Sequence, residues 1–322
     1  MVFNPVCRAA AIALISCMMF AASAYADEDV KMEVTSKKQM VNQITGVVYS
    51  QPTNHGFIQR PLVMDVIMPL GREPHPTILY ISGGGFVASG AGAHIQQRMA
   101  LAEHGYVVAS IEYRVVPAAT FPAPVEDAKA AVRFLRANAD LFCIDKNKIG
   151  VLGASSGGYL AAMLGATNGV SGFDKGNFLG ESSDVQAVAD IYGVSDLTSI
   201  GADYDKEIQE RHRSAGASEA LLINGTTTYG GIDGGIMANP DGAKAANPMT
   251  YISEKTPPFL LMHGDADKEV SPSQSAILRD ALKEHGIEVK RYVLTGVGHG
   301  GPVWVQPEVM KIIIDFFDSH LK

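Results

Sequence analysis

The sequence predicts one α/β domain built on a mostly parallel sheet with helices on both faces. Three observations lead there: short strand-like segments alternate with longer helix-like ones, two of the strand-like segments, residues 77–82 and 106–111, are short apolar runs, and the rhythm continues almost without interruption along the chain. A strand that is apolar throughout is one covered on both sides, the condition of a parallel sheet clothed in helices.

The elements follow in order. Residues 62–68 alternate and are partly β-branched, and residues 77–82 and 106–111 are short apolar runs, all predicting strands. Helices are expected over 93–104 and 125–137; in the second, Val125, Ala128, Val132 and Leu135 recur at three- and four-residue spacing. A strand over 148–152 leads into a helix of small residues over 157–166, and a strand over 185–191 comes next. Then follow a strand over 259–263, a helix over 273–285 closed by Gly286, a strand over 287–294 and a helix over 307–321 that opens on Pro307. Strand–helix–strand crossovers are right-handed, and the loops at the carboxyl ends of such strands carry the site.

One interval departs from this rhythm. Across 198–252, glycines at 225, 230, 231, 234, 235 and 242 interrupt two weak helical pieces, around 206–213 and 218–223. An irregular stretch of this length in a compact domain is expected to be a lid-like insertion over the site.

Composition narrows the partners. With 19% charged residues, a net charge of −8 and no basic cluster, the chain lacks the electrostatic footprint of a nucleic-acid binder. Residues 1–26 read as a removable leader: Arg8 ends a short n-region, residues 9–22 are uncharged and mostly apolar, and Ala24-Tyr25-Ala26 presents a small-residue cleavage site before Asp27. That run is shorter than the roughly 20 apolar residues needed to cross a bilayer. The expectation is a secreted or periplasmic domain over 27–322. Leu14-Ile15-Ser16-Cys17 also resembles a lipobox, which would acylate Cys17, but so few residues separate Arg8 from Cys17 that the apolar region would be short. Cys7 and Cys17 fall in the leader, which leaves Cys143 alone; between Phe142 and Ile144 it is expected to be a buried, inert thiol. No metal-ligand cluster with convincing spacing appears, and no cofactor is called for.

The chemistry begins at Gly153-Ala154-Ser155-Ser156-Gly157, a G-x-S-x-G spacing set between a strand and a helix. Flanking glycines let the chain turn so sharply that the serine hydroxyl projects from the sheet edge. Ser156 cannot be the nucleophile in this register, because Ala154 would then occupy a glycine position. Ser82-Gly83-Gly84-Gly85-Phe86 follows the strand over 77–82, and three glycines there allow backbone N–H groups to approach a developing oxyanion. A serine hydroxyl needs a base, and the base an orienting acid. His299, in Gly298-His299-Gly300, follows the strand ending at Leu294. Asp267 follows the strand ending at His263; Asp265, nearer that strand end, and Asp196, after the strand over 185–191, are rival acids. His263 reads as structural.

These motifs resemble those of bacterial esterases of the α/β-hydrolase superfamily, in the branch of hormone-sensitive-lipase-like esterases and xylan-directed acetyl and feruloyl esterases. The resemblance runs from about Leu62 to the C-terminus. It rests on the glycine triplet with Phe86, Tyr113-Arg114, the stretch Phe121-Pro122-Ala123-Pro124-Val125-Glu126-Asp127-Ala128, the serine turn with Gly158, Pro257-Pro258-Phe259, His263-Gly264 through Val270, and Gly298-His299-Gly300. It implies Ser155, Asp267 and His299 as the catalytic triad, Gly84, Gly85 and Ser156 as oxyanion donors, and Arg114 and Asp127 as scaffold. The substrate it implies is a small ester or an acylated carbohydrate. Where that family commonly has histidine this chain has Ser82, so the glycine loop must be braced differently.

Two other readings use the same fold. A serine peptidase would usually carry a further N-terminal domain, and the roughly 35 residues between leader and Leu62 are too few for one. A non-catalytic binding module would not need Ser, Asp and His in the required order. Gly296-Val297-Gly298-His299-Gly300-Gly301 satisfies a dinucleotide-binding spacing, but Pro302, Trp304 and Pro307 follow in place of a helix N-terminus able to hold a pyrophosphate.

Overall fold

In the computed structural model, which describes residues 29–54 and 57–322, eight strands form one twisted sheet. In chain order the strands are β1 (Val41–Ser50), β2 (Thr53–Asn54), β3 (Phe57–Ile58), β4 (Leu62–Pro69), β5 (His75–Ile81), β6 (Val107–Ile111), β7 (Ile144–Ala154), β8 (Ala187–Ile191), β9 (Phe259–Gly264) and β10 (Val289–Leu294). The helices are α1 (Ile95–Glu103), α2 (Ala123–Ala137), α3 (Ala139–Phe142), α4 (Ser156–Ala166), α5 (Lys206–Arg213), α6 (Ser218–Asn224), α7 (Pro240–Ala245), α8 (Ser273–Glu284) and α9 (Pro307–Leu321). Spatial order in the sheet is β1-β4-β6-β5-β7-β8-β9-β10, while β2 and β3 pair separately. Within the eight-stranded sheet every pairing from β6 to β10 is parallel, while β1 with β4 and β4 with β6 are antiparallel, as is the separate pair β2 with β3. This is the α/β-hydrolase arrangement. Residues 38–322 form one compact unit, and residues 29–37 carry no regular secondary structure. The leader expected over 1–26, with Cys7 and Cys17, lies outside the described residues.

Strand periodicity supplies two cores at once. Along β5, Leu79 and Ile81 join one core and Ile78 and Tyr80 the other, because successive side chains leave opposite faces of the sheet. The first core receives α2 through Val125, Ala128, Val132 and Leu135 and α8 through Leu278 and Leu282. The second receives α1 through Leu101 and Ala102 and α9 through Ile313 and Phe317. Helix α4 is buried along its whole length, so its small residues set how closely it lies on the sheet. A Cβ on Gly165 would meet a Val188 methyl at 2.4 Å.

The structure adds to the sequence reading at three places. β1 carries no periodic apolar signal because it is an exposed edge, bulged between Ile44 and Val47, where Gly46 donates its N–H to Asp65 at 3.0 Å. β7 begins at Ile144, four residues before the expected strand, through a polar and partly exposed stretch. Cys143, expected to be buried, is half-buried in a left-handed conformation at the end of α3, its Sγ 3.7 Å from the Gly71 carbonyl. No helix among the described residues is long and apolar enough to cross a membrane.

Candidate active site

Ser155 sits at the turn from β7 into α4, at φ 56° and ψ −124°, a conformation that a non-glycine residue adopts only when its surroundings enforce it. Its N–H donates to Ile191 O at 2.9 Å, which ties the turn to the end of β8. The neighbouring glycines make room. A Cβ on Gly153 would lie 2.0 Å from Gly157 O, and one on Gly157 would lie 2.1 Å from Ile81 O, so both positions exclude any side chain.

The structure brings Ser155, His299 and Asp267 into one hydrogen-bonded chain. His299 Nε2 is 2.8 Å from Ser155 Oγ, and His299 Nδ1 is 2.7 Å from Asp267 Oδ2. The Asp267 carboxylate is fully buried, and its Oδ1 accepts the N–H groups of Glu269 at 2.9 Å and Val270 at 3.1 Å. Burial by itself would raise this carboxyl. Hydrogen bonds from His263 and His299, the attraction of His299 and the Glu269 N–H outweigh burial and hold it well below the usual carboxylate range. An ionised Asp267 assigns the Nδ1 proton to the side facing it and leaves the Nε2 lone pair for the serine hydroxyl.

The rival carboxylates are occupied elsewhere. Asp265 Oδ1 accepts Gly296 N–H at 2.6 Å, lacing the loop after β9 to the loop after β10. Asp196 caps its own turn, accepting Thr198 N–H and Oγ1 at 2.9 and 2.7 Å and Ser199 Oγ at 2.9 Å. His263 is fully buried, with Nδ1 3.1 Å from Ser275 Oγ and Nε2 3.0 Å from Val270 O and 3.3 Å from Asp267 Oδ2.

Around the glycine loop, two hydroxyls make the bracing contacts. Ser82 Oγ donates to Gly90 O and accepts Gly90 N–H, both at 3.2 Å. Tyr113 donates its hydroxyl to Ser82 O at 3.0 Å and stands 3.3 Å from Ser156 Oγ, joining the loop to the serine turn. Burial pushes the Tyr113 phenol up to about 12, so it remains a donor. Gly84 forms the turn itself: its carbonyl accepts from Val87 and Ala88 at 3.1 and 3.0 Å, and a Cβ there would lie 2.1 Å from Ala88 O. Gly85 and Ser156 line the cavity beside Ser155 and His299. Arg114 and Asp127 form a mostly buried ion pair at 2.8 Å away from that cavity.

Several residues of the site escaped the sequence reading. The Tyr192 ring lies 4.6 Å from the His299 ring and 4.6 Å from Trp304, bracing the imidazole from behind. Its position directly after the strand ending at Ile191 was the available signal. Behind the turn, Asp190 is fully buried. Its Oδ1 accepts Gly193 N–H at 2.9 Å, its Oδ2 has no hydrogen-bond partner, and burial pushes the carboxyl up to about 7. Only a glycine fits at 158, where a Cβ would lie 2.2 Å from Asp190 Oδ1.

The stretch 198–252 also contributes to this site. Ile200, Arg211, His212, Ser218 and Glu219 line the 360 Å³ cavity above Ser155, opposite a sheet-side wall that includes Phe86, Val194 and Val270. His212 Nδ1 is 2.7 Å from the buried carboxylate of Glu219. The insertion is pinned to the loop of the acid: Ser271 Oγ donates to Asp203, Gln274 Nε2 donates to Ser199 Oγ at 3.1 Å, and Tyr204 donates to Asp267 O at 3.0 Å.

The chain is similar to known proteins in sequence and in fold. A protein-family model described as BD-FAE matches residues 64–282. Esterase LipC of Mycobacterium tuberculosis is 31% identical over 232 residues, 71% of this chain and 53% of that protein. The chain thus spans about half the length of the curated relatives it matches. Among solved structures, a truncated form of a carbohydrate esterase from gut microbiota is 28% identical at a TM-score of 0.75, covering 90% of this chain and 99% of that one. A bifunctional GH43-CE of Bacteroides eggerthii is 30% identical at a TM-score of 0.73, covering 87% of this chain and 35% of that one.

Proposed function

The chain belongs to the BD-FAE family, and on that premise we propose that it is a serine carboxylic-ester hydrolase acting through an acyl-enzyme on Ser155, on short-chain acyl or carbohydrate-linked esters. The observation that carries this reading is the unbroken chain from Ser155 Oγ through His299 to the buried carboxylate of Asp267, at 2.8 and 2.7 Å.

In this mechanism His299 Nε2 takes the Ser155 proton as Oγ attacks the ester carbonyl. The ionised Asp267 stabilises the imidazolium that forms, without itself taking the proton. Charge moves to the carbonyl oxygen, which rests on the backbone N–H groups of Gly85 and Ser156, with Gly84 holding the loop and supplying a third donor; one such donor is worth about 2.7–4 kcal/mol of transition-state stabilisation. His299 then protonates the leaving alcohol, and water, activated by the same imidazole, releases the acid. A cavity of 360 Å³ sits near the small end of the roughly 300–1,000 Å³ range of ligand sites, which supports a short acyl group. The carbohydrate esterase among the similar structures supports a sugar on the alcohol side.

Hydrolysis of p-nitrophenyl esters of graded chain length, beside release of acetate from acetylated xylan, tests the proposal. Turnover of acetyl and propionyl esters that vanishes in Ser155→Ala is expected; folded protein inert on every ester would overturn it. The leader read over 1–26 extends the proposal to an exported enzyme. N-terminal sequencing of exported protein is then expected to begin at Asp27, and a lipid-modified Cys17 would contradict it.

A further inference from the structure

Helix α6 separates two openings in the surface. Ser218 and Glu219, at its start, line the cavity above Ser155, whereas Asn224, its last residue, lines a groove of 890 Å³. At about 1.5 Å per residue the two lie roughly 9 Å apart along the helix. A second connection runs through the glycine loop: Phe86 lines the cavity, its carbonyl accepts Val116 N–H at 2.9 Å, and the next residue, Pro117, lines the groove. The groove therefore adjoins the site rather than lying on a remote face.

One wall of the groove is a tightly turned loop. Tyr229 N–H and Gly231 N–H both donate to Thr226 O, at 2.9 and 3.0 Å, and Ile232 N–H donates to Asn224 O at 2.9 Å. Gly230, at φ 82°, makes the turn possible. The loop presents the Tyr229 ring to solvent, 78% exposed, at the edge of the groove. Facing surfaces carry uncharged hydrogen-bonding groups, among them Thr53, Gln59 and Thr120. The charged side chains in the groove, Arg114 and Glu126, already pair with each other at 3.2 Å, and Arg114 also pairs with Asp127 at 2.8 Å. Among the described residues, such a surface has no spare cation for a phosphate. A flat aromatic face among neutral donors and acceptors suits a ligand with apolar ring faces and hydroxyl edges.

We propose that this groove is a distal subsite for the glycan chain of an acylated polysaccharide whose ester lies at Ser155, with Tyr229 as its stacking platform. The proposal rests on the carbohydrate-ester reading above. It assigns the glycine-rich loop the task of holding polymer while the cavity holds the acyl group.

Two measurements test it. In the full chain carrying Ser155→Ala, calorimetric titration with unacetylated β-1,4-xylohexaose is expected to show binding that adding Tyr229→Ala weakens by about fivefold to tenfold and adding Tyr229→Phe preserves. In the active enzyme, Tyr229→Ala is expected to raise KM on acetylated xylan by a similar factor and to leave p-nitrophenyl acetate kinetics unchanged. Xylohexaose that does not bind Ser155→Ala, or binds the Tyr229→Ala variant equally well, overturns the subsite even if p-nitrophenyl acetate is hydrolysed. Binding that depends on Tyr229 in an enzyme inert on every ester would instead keep the subsite and remove the hydrolase.

Discussion

The Tyr204 hydroxyl donates to the backbone carbonyl of Asp267 at 3.0 Å, so a residue of the 198–252 insertion holds the loop whose carboxylate faces His299. The insertion is thus tied to the chemistry as well as to the cavity wall. Tyr204→Phe removes one hydrogen bond without changing the ring. The expected outcome is a fall in kcat of about twofold to tenfold with KM on p-nitrophenyl acetate nearly constant, since a lost hydrogen bond costs about 0.5–1.5 kcal/mol. Unchanged kcat would show that the loop keeps its place without the insertion.

Ser155 and Ser156 are adjacent but differently used. Ser155→Ala is expected to lower turnover by about 10⁶, as loss of the nucleophile does in a related triad. In the proposed mechanism Ser156 contributes only its N–H, and its Oγ lies 3.3 Å from the Tyr113 hydroxyl, so Ser156→Ala is expected to keep much of the turnover and to lose about 1 kcal/mol of stability. Turnover beside denaturant unfolding of both variants decides this. Equal loss of activity would mean that the serine register is wrong.

Asp267 alone reaches His299 among the three candidate acids. Asp267→Asn leaves the imidazole in the wrong tautomer, and a fall in turnover of about 10⁴ is expected with the fold retained. Asp265→Asn weakens the contact to Gly296, and Asp196→Asn weakens those to Thr198 and Ser199, because an amide oxygen replaces a charged acceptor; both are expected to act mainly on melting temperature. If folded Asp267→Asn keeps more than about a tenth of turnover while Asp196→Asn loses it, the acid lies after β8.

Stability should also carry the signature of Asp190. Its folded value, about 7, lies above the unfolded value of about 3.9, so the folded state binds more protons between the two. The stability it contributes is present below about pH 4 and is lost as pH rises through about 7. Between pH 5 and pH 8, urea midpoints of the wild type are expected to fall further than those of Asp190→Asn, in which the Gly193 contact survives. Parallel pH dependence in the two proteins would show that this carboxyl does not titrate there.

Much of this molecule is legible along the chain because local rules act locally. Apolar runs at β5, β6 and β9 and the three- and four-residue spacing within α2 announce elements whose burial leaves a period in the sequence. β1 and the first residues of β7 leave none, being exposed on the faces that would show it. Ser155, Asp267 and His299 could be nominated because each lies in a glycine-marked loop just past a strand end, a position that backbone geometry makes special before any partner is known.

What the sequence determined by itself was the parallel sheet, the serine turn and the chain order of Ser155, Asp267 and His299. Only the tertiary structure decided which carboxylate faces His299, since Asp265 and Asp267 are two residues apart and the groups that tell them apart, Gly296 and His299, lie 31 and 32 residues away in the chain. The same holds for Tyr113 and Ser82, which brace the glycine loop across a separation of 31 residues, and for Tyr204, Tyr192 and the Tyr229 groove. A hydrogen bond, a ring contact or a cavity depends on distances set by packing, and residues far apart in the chain carry no local pattern that records them.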